Sequence, residues 1–173
     1  MRIVIDTLIA VMLGALLIGT VSHYQTEQYQ VDRKQQVHRT ILRLHEQAVY
    51  HGAVGQAPVS GAGFPLEISP LWFGERGVPT NSMVPGRQPW LDIAPHGDNS
   101  EHPPDPIITK PQQAGFWYNP NLGIVRARIA GNFSPAKAIE TYNILNGTTL
   151  TNLPKRPDPA RTSHQPPMLV PAD

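Results

Sequence analysis

The chain has 173 residues, enough for one domain with an appended segment but not for two enzymatic domains. It has a net charge of +1 and no cysteine. The charge gives no indication of nucleic-acid binding, and the lack of cysteine excludes disulfides, zinc–cysteine sites, iron–sulfur clusters and cysteine nucleophiles.

The 19 prolines divide the chain, because all of them lie after residue 57. Each proline removes an amide donor and clashes with the preceding helical turn, so only the first part can be continuously helical. We therefore predict an α+β fold with a helical N-terminal rod and a small Pro-rich body. The predicted segments are an anchor (1–21), an amphipathic stalk (22–51), a linker (52–63), an α+β domain (64–153) and an extended Pro-rich tail (154–173).

The N-terminal segment is strongly apolar. Residues 3–21 read IVIDTLIAVMLGALLIGTV, with Asp6 as the one charge. As a helix they would extend about 28 Å, close to the ~30 Å hydrocarbon core of a bilayer. Because the stretch 19–22 is a poor signal-peptidase site, we expect an uncleaved single-pass transmembrane anchor. Arg2 favours a cytoplasmic N-terminus, which would place the body on the extracytoplasmic, periplasmic side.

Small residues in this segment suggest close helix packing. Gly14, Ala15 and Gly19 have no bulky side chain, and Ala15 and Gly19 have the small-xxx-small spacing of packed membrane helices. We predict that these three residues, together with Asp6, form an assembly interface.

The stalk from Ser22 to His51 contains neither proline nor glycine. Its second half carries an apolar stripe that is expected to pack on the body, whereas residues 23–36 are solvated or face a partner. The stripe is formed by Val37, Ile41, Leu44 and Ala48, and is widened by Leu42 and Val49. His38 and His45 share a face but lack the i, i+4 spacing of a metal site, so we expect surface or partner-facing histidines.

The first part of the body, residues 64–106, holds short apolar pieces between Pro, Gly and Asn. This pattern predicts short strands or extended segments at 71–73 and 90–93. Trp72, Phe73 and Trp90 are the expected core side chains.

The stretch Gly115–Ile129 (GFWYNPNLGIVRARI) predicts a β-hairpin with a loop of about five residues. On its second strand one face is apolar, and the other carries Arg126 and Arg128. These arginines would contact solvent, a structural salt-bridge partner, lipid phosphate or a carboxylate of another protein, and we include them in the assembly interface. A helix is then expected from Ser134–Pro135 to Asn146–Gly147.

No catalytic motif is present: the chain lacks GxSxG, a P-loop and GxGxxG. His96 and His102 lie near Asp98 and Asp105, but in a Pro-rich loop with no nucleophile beside them. We expect no catalytic residue, no cofactor and no metal, and therefore a non-enzymatic protein.

An apolar N-terminal helix that continues into an amphipathic helix and a small β body resembles the type IV pilins and type II secretion pseudopilins. Asp6 resembles the acid near the family's mature N-terminus, and residues 116–128 resemble pilin sheet segments. The resemblance implies a pilin-like structural subunit that packs by its N-terminal helix. The alternatives are an accessory subunit of a larger respiratory, photosynthetic or secretory complex and, less favoured, a membrane-tethered enzyme. The expected partners are other membrane-protein subunits, in a homo- or hetero-assembly, and membrane lipid, with no nucleic acid.

Overall fold

The computed structural model describes residues 2–84 and 86–154, with side chains of the first helix described from Val11 onward, and shows an α+β chain. Met1 and residues 155–173 of the predicted tail lie outside the described residues. The elements in chain order are helix α1 (Arg2–Ala53), a 3-10 helix (Pro70–Arg76), strands β1 (Leu91–Ile93), β2 (Ile107–Ile108), β3 (Phe116–Asn119), β4 (Ile124–Ala127) and β5 (Ile129–Ala130), and helix α2 (Pro135–Asn146).

Helix α1 is continuous over 52 residues, as the proline-free sequence predicts. At 1.5 Å per residue it is about 78 Å long, far longer than the body is expected to be wide. Only its second half packs on the body, where the stripe residues Val37, Ile41, Leu44 and Ala48 are at most 8% exposed. The predicted packing of this stripe is confirmed, but Leu42 and Val49 do not widen it, since they are 54% and 44% exposed.

The predicted transmembrane anchor is wrong. Over the residues that the structure describes, no helix contains an apolar stretch long enough to cross a membrane. The single-pass topology and the extracytoplasmic, periplasmic placement of the body were derived from that anchor and are corrected with it.

The body is built around the predicted hairpin, which is confirmed. Strands β3 and β4 pair antiparallel, with Phe116 opposite Ala127 and Asn119 opposite Ile124. Strand β1 adds to the other edge of β3 in parallel, giving the order β1-β3-β4, and β2 pairs in parallel with β5 as a separate two-stranded sheet. The sequence did not predict these parallel pairs.

The core lies between the second half of α1, the hairpin and α2. Its largest fully buried side chains include Phe116, Tyr118, Tyr142 and Leu145. Helix α2 begins after Ser134, has a proline in its first turn, and ends at Gly147 in the left-handed conformation (φ 62°), as predicted. The core is completed by Ile68, Phe73, Met83, Val125, Ala127, Ile129 and Ala138.

The prediction of an extended segment at 71–73 is wrong. These residues lie in the 3-10 helix, because Ser69 caps its first turn through a hydrogen bond from the Leu71 amide and Pro70 suits its first position. Phe73 is buried in the core as expected, whereas Trp72 is only partly buried against it and Leu71 is 87% exposed.

Candidate assembly surface

An apolar arm, defined here as residues 11–21 of α1, extends away from the body. Its large apolar side chains are 52–70% exposed and point to all sides of the helix, since they occupy positions 11–13, 16–18 and 21 along about three turns. A helix that is apolar all round is normally buried in a protein or lipid interior. The exposed side chains are Val11, Met12, Leu13, Leu16, Leu17, Ile18 and Val21.

The small residues predicted for the interface lie on this arm. Ala15 is exposed, and a Cβ added to Gly14 or Gly19 would meet no atom within 4 Å. A neighbouring helix can therefore approach the backbone closely at these positions. The Thr20 hydroxyl would not need a partner from the neighbouring helix, because it donates to the backbone carbonyls of Leu16 (3.1 Å) and Leu17 (2.9 Å). The Asp6 side chain lies outside the described side chains, so its predicted role stays a prediction.

Between the arm and the body, α1 is polar and supported by its own side chains. The Gln28 amide donates to the Tyr24 hydroxyl at 3.1 Å, and the Arg33 guanidinium lies over the Tyr29 ring at 5.6 Å. Each such i, i+4 pair stabilises an exposed helix by about 0.2–0.5 kcal/mol. This segment can therefore stay helical and hold the arm away from the body.

The two stalk histidines attach α1 to the body. His38 Nδ1 donates to the Leu145 carbonyl at 3.1 Å, and His45 Nδ1 donates to the Gly123 carbonyl at 2.9 Å. Because a carbonyl only accepts, Nδ1 carries the hydrogen in both rings. Both rings stay on the surface, as predicted. Over residues 2–84 and 86–154, no three His, Asp or Glu side chains are grouped so as to hold a metal ion.

Arg128 was expected on the open face of the hairpin, but it is only 5% exposed. Its guanidinium is paired with the Asp92 carboxylate and donates to the carbonyls of Asp105 (2.9 Å) and Ala114 (3.0 Å). These bonds join β1, the loop that contains Asp105 and the segment before β3. A buried cation needs such partners because its desolvation is costly. The predicted open-face position of Arg128 is therefore wrong, and its charge is used inside the body.

Arg126 is partly exposed and also contacts the body. Its Nε donates to the Glu101 carbonyl at 3.1 Å and its Nη1 to the Asn146 carbonyl at 3.3 Å. It thus joins the 96–105 loop to the end of α2. An interface role for this arginine stays a prediction.

The histidine–aspartate loop is part of the body's hydrogen-bond network. His102 Nδ1 lies 3.1 Å from the Tyr142 hydroxyl, and burial, followed by the charge of Arg126, lowers the pKa of His102. Burial raises the pKa of Tyr142, so this phenol stays protonated. Asp98 accepts a bond from the Ser100 amide at 2.8 Å. These contacts order the loop, and they supply a structural network rather than an activated nucleophile.

A second surface feature lies where α1 leaves the body, and sequence reasoning missed it. We name this 610 Å³ groove the junction groove. Its basic residues come from α1 and α2, which are about 100 residues apart in the sequence, so no local pattern indicates it. The lining residues are Glu27, Gln30, Val31, Arg33, Lys34, Met83, Ala130, Asn132, Phe133, Lys137 and Thr141.

Comparison of the chain with protein-family models, with curated proteins and with solved structures gave no match.

Proposed function

We propose that this protein is a non-enzymatic assembly subunit that packs against neighbouring subunits through the apolar arm of α1 and displays the body beside the contact. The observation that carries this proposal is the arm itself. Seven large apolar side chains lie at least 52% exposed on a helix segment that does not belong to the core cluster. The pilin-like layout suggested by the sequence agrees with this use of the helix.

Energetics favour a contact that involves the whole arm rather than one side chain. Burial of one large apolar side chain contributes about 1.5–3 kcal/mol, whereas association costs about 4–15 kcal/mol. Several arm side chains must therefore be covered together. Helix-on-helix packing does this well, and the small residues Gly14, Ala15 and Gly19 permit a short distance between helix axes.

The test is light scattering coupled to size-exclusion chromatography of the full chain at several concentrations. We expect concentration-dependent self-association that the double variant Leu16→Lys/Leu17→Lys abolishes. The control is Leu71→Lys, which places a charge at a leucine that is 87% exposed on the body, and it should assemble like the wild type. Circular dichroism should show the same unfolding midpoint for the arm variant, because the arm does not contribute to the core.

Co-purification from the native source distinguishes like from unlike partners. A fixed ratio to different subunits, lost in the arm variant, would identify the accessory-subunit alternative. A wild-type chain that stays monomeric and is recovered alone would contradict the proposal.

A further inference from the structure

We propose that the junction groove binds a carboxylate-bearing segment of the neighbouring subunit. This inference rests on the proposed assembly function and adds the chemistry of a second contact. The groove begins where α1 leaves the body, so a neighbour packed along the arm and the polar segment of α1 would reach it next.

The charge of the groove favours an acidic occupant. Arg33, Lys34 and Lys137 contribute three cations to the lining, whereas Glu27 contributes one carboxylate. The whole chain has a net charge of only +1, so this is a local concentration of positive charge. Complementary charges across an interface set its register and speed association.

One of these cations is paired with a neighbouring carboxylate. Lys137 Nζ donates to Glu140 at 3.0 Å. This bond, together with the charges of Lys137 and Lys34, lowers the pKa of the Glu140 carboxyl. Glu140 is exposed and takes one of the three ammonium hydrogens of Lys137, which leaves the others for a carboxylate of the neighbour.

The groove also holds its donors in place. The Arg33 guanidinium donates to the Ser82 carbonyl and is stacked over the Tyr29 ring, and its fork has five donors. Thr141 lines the groove, and its Oγ1 is buried with no hydrogen-bond partner among the described residues.

Apolar side chains separate these donors. Val31, Met83 and Phe133 line the groove together with Arg33, Lys34 and Lys137. A short segment that combines one or two carboxylates with apolar residues therefore fits better than a uniformly charged chain. Electrostatic attraction would speed the association of the segment, and burial of its apolar residues would slow its dissociation.

The first test is cross-linking of the assembled full-length protein, or of the complex as purified, with a carbodiimide, which joins an amine directly to a contacting carboxylate. We expect intermolecular cross-links at Lys34 and Lys137, several-fold more abundant than at Lys110. Lys110 is the control because it is exposed on the turn after β2. Cross-links within one chain, such as Lys137 to Glu140, are excluded by mixing ¹⁴N- and ¹⁵N-labelled protein. Equal yields at the three lysines, or none at Lys34 and Lys137, would overturn the proposal.

The second test reverses the charge. The variant Lys34→Glu/Lys137→Glu should raise the dissociation constant of the assembly about tenfold or more, and the wild-type assembly should weaken as NaCl screens the contact. Lys110→Glu should change neither the dissociation constant nor its dependence on NaCl. Circular dichroism should show that all variants fold. Assembly that survives the double reversal unchanged, and is lost only in the arm variant, would refute the groove contact and leave the arm proposal standing. A wild-type chain that never assembles would refute both.

Discussion

Buried asparagine side chains hold together a body that is poor in regular backbone pairing. Asn146 accepts a bond from the Ala127 amide at 2.7 Å and donates to the Ala127 and Tyr142 carbonyls, both at 3.0 Å. Asn81 donates to the carbonyls of Gly115 (2.9 Å) and Arg128 (2.8 Å). Prolines remove amide donors from this chain, and each asparagine amide supplies both donors and an acceptor where strands are only two to four residues long.

Gly123 in the hairpin loop is a position where the backbone conformation and the packing both require glycine. Its φ is +66°, and a Cβ there would lie 2.4 Å from the Phe64 ring, so alanine would be both strained and in collision. The same residue accepts the His45 bond that attaches α1. We expect Gly123→Ala to lower the free energy of unfolding by about 1–3 kcal/mol, measured by urea denaturation. Gly61→Ala is the control, since its Cβ would meet open space, and should stay within about 0.5 kcal/mol. Equal effects would contradict this account of the loop.

At the scale of elements, α1 is one helix in two environments. Its second half contributes Val37, Ile41, Leu44 and Ala48 to the core, and the arm, residues 11–21, carries exposed apolar side chains on all sides. The stripe repeats at intervals of four, three and four residues, which keeps it on one face of an α-helix. The arm has no such apolar stripe, and its predicted interface was inferred from the small residues Gly14, Ala15 and Gly19 instead.

Leu44 and Leu42 make a matched pair on the same helix, because Leu44 is fully buried and Leu42 is 54% exposed. Leu44→Ala removes core contacts and leaves a cavity, so we expect it to lower the free energy of unfolding by about 2–5 kcal/mol. Leu42→Ala should cost less than about 1 kcal/mol, since it vacates no space in the core. Thermal and urea unfolding followed by tyrosine and tryptophan fluorescence would measure both. A comparable loss from both changes would mean that Leu42 is covered, as the sequence alone suggested.

At the scale of the whole molecule, stability and association are assigned to different regions. The core joins residues 37–48 of α1 to the hairpin and α2, and the arm contributes nothing to it. A change in the arm can therefore alter assembly without unfolding the body. The junction groove lies between the two regions, since residues 27–34 of α1 and residues of the body line it.

Hydrogen exchange measures this division directly. In the monomer, amides of residues 14–30 should exchange roughly tenfold or more faster than those of residues 37–48, because they open by local fraying rather than by global unfolding. On assembly the arm amides should slow, whereas those of residues 37–48 should change little. Uniform protection along α1 in the monomer would show that something on the body covers the arm.

The sequence was a good guide wherever a local pattern decides the structure. The proline boundary predicts the long helix, Phe116–Asn119 and Ile124–Ala127 predict the hairpin, and Ser134 with Gly147 predicts α2. The candidate site was predicted only in part. Gly14, Ala15 and Gly19 do lie on the exposed arm, but the arm's assignment to a membrane was wrong and the junction groove was not foreseen.

The sequence by itself determined helices α1 and α2, the hairpin and the stripe of α1 that is buried, because spacing and turn chemistry act between residues close in the chain. Tertiary structure alone decided the parallel pairing of β1 with β3 and of β2 with β5, since many residues separate each pair. It also decided the burial of Arg128, whose partners Asp92 and Asp105 lie more than 20 residues away. The same holds for the junction groove, where Lys34 and Lys137 line one surface. No local pattern encodes such contacts, because they form only when the packed core brings distant segments together.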